Sequence, residues 1–175
     1  ERPEAEKPDQ YAYDPRDPVM TIYTMEGQQV PMDQRRLDGR EDILSYTSAP
    51  LEAPLEVVGP VEVKLFASSS APDTDFIAKL IDIHPDGFTQ ELVYGMVRAR
   101  YRNGTDRSEL IESGKIYEYT ITLNPTGNRF LAGHRIRVDI QSSDFPNFDR
   151  NHNTGGDDYH EATLAVASQT IFHDA

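Results

Sequence analysis

The sequence contains no cysteine. That excludes disulfides, thiolate-held zinc or iron–sulfur clusters, and a cysteine nucleophile, though it does not fix a compartment. Tryptophan is also absent. Basic residues are scarce: 17 Lys and Arg face 30 Asp and Glu, a formal net charge of −13. Nucleic-acid affinity rests largely on Lys and Arg neutralising phosphates, and anionic membrane surfaces attract the same residues. The charge balance argues against both partners. No apolar run approaches the ~18 residues of a membrane helix. Apolar residues make up 37% of the chain, against roughly 45–50% in an average globular protein. The five histidines are too scattered to force a metal site, and nothing in the chain calls for a cofactor.

What is present is a polar, loop-rich chain whose 175 residues suit one domain of ordinary size. Residues 1–10 are charged and Pro-interrupted and read as a lead-in or linker; residues 11–175 read as a single β-sandwich domain. Repeated prolines keep residues 11–40 out of helix and central strand. From residue 42 onward the apolar pattern has period two. Val61, Val63 and Leu65 alternate with Glu62 and Lys64; Tyr117, Tyr119, Ile121 and Leu123 alternate with Glu118, Thr120 and Thr122; Ile136, Val138 and Ile140 alternate with Arg135, Arg137 and Asp139. Phe76–His84 is apolar on both faces, and Val93–Tyr101 is a further strand candidate. Ala162–Phe172 fits a final strand, with its alanines also compatible with helix. Turn signals separate these runs, among them Pro85-Asp86-Gly87, Asn103-Gly104 and Asn124-Pro125. About seven short strands imply an all-β sandwich or barrel.

Searches for chemistry return little. No Gly-x-Ser-x-Gly elbow occurs, so the usual α/β-hydrolase nucleophile is missing. Ser142 and Ser143 lie roughly 26 Å along an extended strand from His134, at ~3.3 Å per residue, and read as structural polar groups. His160-Glu161 opens a His-Glu-x-x-His pattern that fails at Leu164, so no zinc motif is assigned. Asp157, Asp158, His160 and Glu161 offer hard ligands to calcium, but a solvated loop is the simpler reading. The turn and ion-pair candidates are Asp33 and Arg35 in the Pro-rich stretch, Asp73 and Asp75 in an Asx-type turn, and His134-Arg135 and Asp149-Arg150, which bracket a strand and the turn after it. All are read as structural.

Several phrases in one order resemble a known family. They include Tyr13-Asp14-Pro15-Arg16-Asp17-Pro18-Val19, Asp33-Gln34-Arg35, Asp42-Ile43-Leu44-Ser45-Tyr46, Ser68-Ser69-Ser70-Ala71-Pro72-Asp73-Thr74-Asp75-Phe76, Gly133-His134-Arg135-Ile136-Arg137-Val138 and Ser142-Ser143-Asp144-Phe145-Pro146-Asn147-Phe148-Asp149-Arg150-Asn151. Together they resemble the carboxy-terminal jelly-roll domain of the X-Pro dipeptidyl-peptidase family of serine hydrolases, which includes cocaine esterase, α-amino-acid ester hydrolases and glutaryl-cephalosporin acylases. The resemblance spans about residues 11–173.

It implies an all-β jelly-roll sandwich like galactose-binding domains. It also implies that the Ser–Asp–His triad belongs to an upstream α/β-hydrolase domain of the same parent polypeptide, against which this piece packs, and that no catalytic residue lies here. The loop between the Tyr-Asp-Pro and Asp-Gln-Arg phrases would contribute to the acyl pocket, with Ile22, Tyr23 and Met25 as the residues to face substrate. Relatives carry further strands at both ends, so the chain is expected to be a fragment whose open sheet edges invite a partner, a homo-oligomer among them. The alternative is an independent carbohydrate- or protein-binding module, which the absence of tryptophan disfavours for sugars.

Overall fold

The computed structural model describes residues 6–22 and 32–173. Eight strands fill two four-stranded sheets: β1 (Asp9–Tyr13), β2 (Ile43–Thr47), β3 (Leu55–Ser69), β4 (Asp75–Ile83), β5 (Thr89–Arg98), β6 (Tyr117–Phe130), β7 (Arg135–Gln141) and β8 (Ala167–Phe172). The first sheet has the order β1-β8-β3-β6 and the second β2-β7-β4-β5. Every pairing is antiparallel. β1 lies beside β8, β2 beside β7, β3 beside β6 and β4 beside β5. The chain therefore nests like one long hairpin wound across two facing sheets, the arrangement a double-sheet β-sandwich uses to pair its strands.

Period-two patterning explains the core. Tyr11, Tyr13, Leu65, Ala67, Tyr119, Ile121, Leu123 and Ile171 face inward from the first sheet. Phe76, Ala78, Leu80, Val93 and Ile140 meet them from the second. The sheets approach closely at Gly95, where an added Cβ would sit 2.9 Å from the Cα of Leu123. Only glycine lets β5 lie on β6 there.

Several elements differ from the sequence pattern, each for a physical reason. β1 begins at Asp9, within the stretch read as a lead-in, because its alternating Tyr11 and Tyr13 bury against β8. Asn124-Pro125 does not end a strand. β6 continues to Phe130, and the register shift between Gly59 and Val61 of β3 absorbs the irregularity. A bulge leaves a residue unpaired, so the amide that proline lacks is not missed. β5 stops at Arg98, and Ala99–Tyr101 forms a 3-10 turn that leaves Tyr101 exposed. Residues 162–166 adopt neither helix nor strand, and β8 starts only at Ala167. On its β8 side, β3 pairs from Phe66 to Ser69, with no pairing among the described residues from Leu55 to Leu65.

Candidate functional site

β4 is buried on both faces. Its even positions enter the core, so Ile77, Lys79 and Ile81 point outward from the sandwich, yet all are at most 1% exposed. The described residues on either side of positions 23–31 attach beside this strand. Val19 and Thr21 bond to the strand-like backbone of Phe145, at 2.9 and 2.8 Å. The Val19 amide also donates to Ser143 Oγ at 2.8 Å, and Thr21 Oγ1 donates to the Asp144 carbonyl at 3.0 Å. On the far side the Glu91 amide donates to the Met32 carbonyl at 3.1 Å, and Asp33 bridges to Gln90.

Lys79 lies between these two attachment points. Its Nζ is 2.9 Å from Glu91 Oε2 and 2.9 Å from Asp144 Oδ1. The side chains of Lys79, Glu91 and Asp144 are 1%, 5% and 1% exposed. Asn147 Nδ2 donates to the other Asp144 oxygen at 3.0 Å. Burial alone would push the Lys79 ammonium down, but Glu91 and Asp144 together hold it above its usual range. Burial raises the Glu91 carboxyl, with Lys79 opposing it in part. The carboxylates neighbouring the two attachment points are thus tied to one ammonium. A lysine in the middle of the apolar run Phe76–Ile81 was the signal for this trio, and sequence reasoning passed over it.

Of the pocket candidates, Ile22 packs part-buried against Val19, Leu37 and Ile43. Tyr23 and Met25 lie outside the described residues. The Asp33 carboxylate accepts from Arg35 Nε at 2.8 Å, caps the 3-10 turn Gln34–Leu37 through the Arg35 amide, and reaches the Thr89 amide. Its bond with Arg35 holds the Asp33 carboxyl below its ordinary value. Nearby, Arg40 grips Asp42 with Nε at 2.7 Å and NH2 at 2.8 Å.

A second ionic cluster closes one end of the sandwich. Arg98 clamps Asp75 with Nε and NH2 at 2.8 and 2.9 Å, while Arg100 Nε reaches Asp73 at 2.7 Å. Asn151 Nδ2 bonds both carboxylates, at 2.7 and 3.0 Å. Asp73 and Asp75 are 0% and 1% exposed. Burial raises the Asp75 carboxyl despite the Arg98 clamp. His134 Nδ1 meets Asp82 Oδ1 at 2.8 Å, and Arg135 donates to the Ser48 carbonyl. Asp149 accepts from Tyr159, and Arg150 donates to the Pro15 carbonyl and lies over the Phe145 ring. Tertiary partners, rather than sequence neighbours, satisfy each. Ser142 Oγ is bonded to the Tyr11 hydroxyl at 2.8 Å and Ser143 Oγ to Val19.

Two groups among the described residues have metal-ligand composition: Asp82 with His84 and His134, and His152 with Asp158 and Glu161. In the first, His134 is bonded to Asp82 and Asn128 donates to the second oxygen at 3.3 Å. The pair closes on itself.

The family of the X-Pro dipeptidyl-peptidase C-terminal non-catalytic domain matches residues 1–175. The chain belongs to this family. It is 50% identical over 155 residues to the cocaine esterase of Rhodococcus sp. (strain MB1 Bresler), covering 86% of this chain and 27% of that protein. Its structure is similar to an aminopeptidase from the marine sediment archaeon Thaumarchaeota archaeon, with TM-score 0.92 at 34% identity over 100% of this chain and 32% of that one. It also resembles an α-amino acid ester hydrolase, with TM-score 0.88 at 28% identity, covering 95% of this chain and 30% of the other. The chain spans between a quarter and a third of the length of these relatives. It is the non-catalytic β-sandwich of this family, with hydrolases among its relatives.

Proposed function

We propose that this sandwich serves a serine hydrolase of acyl ester or amide bonds, packing against the α/β-hydrolase domain of the same polypeptide and helping to shape its substrate pocket. The observation that carries the reading is the family match across residues 1–175 by a domain described as non-catalytic. In the parent, chemistry would pass through an acyl-serine and end on water. The stretch from Met20 to Met32 is the element proposed to reach the pocket, with Ile22, Tyr23 and Met25 as its apolar contacts. The Lys79–Glu91–Asp144 trio supports this role, since it fixes where that stretch leaves and rejoins the sheet. The nested strand pairing supports the jelly-roll reading of the sandwich. The uncovered stretch of β3 is the proposed place for an additional strand from the parent chain or a second copy.

The test is an activity assay on two polypeptides. The 175-residue chain alone, given a p-nitrophenyl ester and an aminoacyl-prolyl amide, should show no turnover. The longer polypeptide should turn over at least one of them. Clear activity of the isolated chain would overturn the reading. So would an active longer polypeptide whose KM and kcat are unchanged by shortening that stretch.

A further inference from the structure

The loop between the end of the Arg98–Asp75 cluster and β8 brings together three groups that the sequence scatters. Asn153 has a positive φ of 62°, and Asn151 Oδ1 accepts from its amide at 2.8 Å, forming a tight turn that points His152 inward. The His160 and Glu161 amides both bond the Asp157 carbonyl at 3.0 Å, so residues 157–161 make one turn. Residues three apart share a side in such a turn, which places Asp158 and Glu161 together facing His152. The expected acidic cluster therefore divides. Asp157 and His160 pair with each other at the exposed surface, at 2.6 Å, while His152 replaces them beside Asp158 and Glu161.

His152 Nδ1 is 3.9 Å from Asp158 Oδ1 and 3.9 Å from Glu161 Oε1. That is too far for a hydrogen bond to either. The nitrogen is nevertheless buried and has no hydrogen-bond partner. A buried polar atom without a partner calls for an explanation, an ion being one. The three ligand atoms lie within 4.8 Å of one another. A point equidistant from atoms so spaced is about 2.3–2.5 Å from each, and a few tenths of an ångström of closure brings it to the ~2.0–2.2 Å of zinc–nitrogen and zinc–carboxylate bonds. Two carboxylates and one neutral imidazole balance a dication.

The surrounding residues orient the ligands as outer-shell partners do at metal sites. Arg98 NH1 holds Asp158 Oδ2 at 3.0 Å, which turns Oδ1 toward His152, and the His152 amide donates to that same Oδ1 at 3.2 Å. Thr154 Oγ1 donates to Glu161 Oε1. Gly156 leaves the space the Glu161 carboxylate occupies, since a Cβ there would lie 2.6 Å from Glu161 Oε2.

We propose that His152, Asp158 and Glu161 form a binding site for a divalent transition-metal ion of the zinc class, which ties the 151–161 loop to the buried Asp73–Asp75–Arg98–Arg100 cluster. An imidazole with carboxylates suits zinc better than calcium, whose sites are all oxygen. The guanidinium of Arg98 competes for Asp158, so the affinity is expected in the micromolar range. This departs from the metal-free reading of the sequence, and it does not depend on the hydrolase assignment.

The test uses chelator-stripped chain titrated with Zn²⁺, Co²⁺ and Ca²⁺, followed by calorimetry, thermal melting and, for Co²⁺, visible absorption. One Zn²⁺ per chain should bind, and a hundredfold excess over Kd should raise Tm by about 5–10 °C. Co²⁺ should give d–d bands of a nitrogen–oxygen site. His152→Gln and Glu161→Gln should each abolish binding and the cobalt bands, whereas His160→Ala and His84→Ala should leave both intact. Glu161→Gln keeps its shape and covers the case in which His152→Gln unfolds. Failure of zinc to bind, binding that survives both substitutions, loss of binding in His84→Ala, or stabilisation by Ca²⁺ alone would each overturn the assignment.

Discussion

The two sheets of this sandwich treat their outward faces in opposite ways. The first sheet shows water its outer positions: on β3 and β6, Glu62, Lys64, Glu118, Thr120 and Thr122 are all exposed. The second sheet leaves Ser45, Thr47 and Arg135 exposed at one edge but buries the middle of its outer face, where Lys79, Arg137, Asp139 and Gln141 lie. An exposed charged pair costs little to build and contributes little. A buried charge is tolerated only when paired and fully bonded. The difference locates the demanding part of the molecule: on the second sheet the loops must close correctly or leave several charges without partners.

The comparison can be broken most forcefully at Lys79. Replacing Lys79 with Met leaves Glu91 and Asp144 facing each other in a buried space, and the chain should lose about 3–5 kcal/mol of stability in urea unfolding. In a protease-protection assay cleavage within residues 19–33 should be faster. An unchanged unfolding midpoint would show that the trio holds nothing. The same ammonium gives a pH signature. Its value lies above the ordinary 10.5, so the stability it contributes is fully present below 10.5 and is lost as pH rises through its raised value. Tm measured across that alkaline window should fall in the native chain, with this component missing from the Lys79→Met chain.

Gly95→Ala probes the seam that both sheets share. Its methyl would press on the backbone of Thr122 and Leu123, and about 3 kcal/mol should be lost, the upper part of the usual overpacking cost. At the sandwich end, Arg98→Lys gives up the two-pronged grip on Asp75 and should cost about 2 kcal/mol by thermal denaturation. The smallest effect belongs to the first sheet. Lys64 and Glu118 are 3.6 Å apart with side chains 68% and 50% exposed, and the double alanine variant should differ from the native chain by about 0.5 kcal/mol or less. A loss as large as that at Lys79 would erase the contrast between the faces.

Where apolar and polar residues alternate strictly along a strand, the sequence was easy to read. Alternation in β3, β6 and β7 placed the inward residues correctly, since period two follows from the pleat itself. The strand ends were harder. Pro125 reads as a stop, but a bulge accommodates it, and β1 hides among prolines because its partner β8 is 160 residues away in the chain. The candidate site divides the same way. Asp33 and Arg35 sit two apart and find each other locally. Lys79, Glu91 and Asp144 meet only because β4 pairs with β5 and packs under the turn after β7.

By itself, the sequence determined the all-β class through its alternation, excluded thiol chemistry and the serine elbow by composition and motif, and carried the phrases that mark the family. Only the tertiary structure decided which charges are buried, which carboxylates share the Lys79 ammonium, and that His152 rather than His160 faces Asp158 and Glu161. The reason is physical: a pleat or a turn is set by neighbours along the chain. The pairing of buried charges is set by strands far apart in sequence that must bring compensating groups to one dry place.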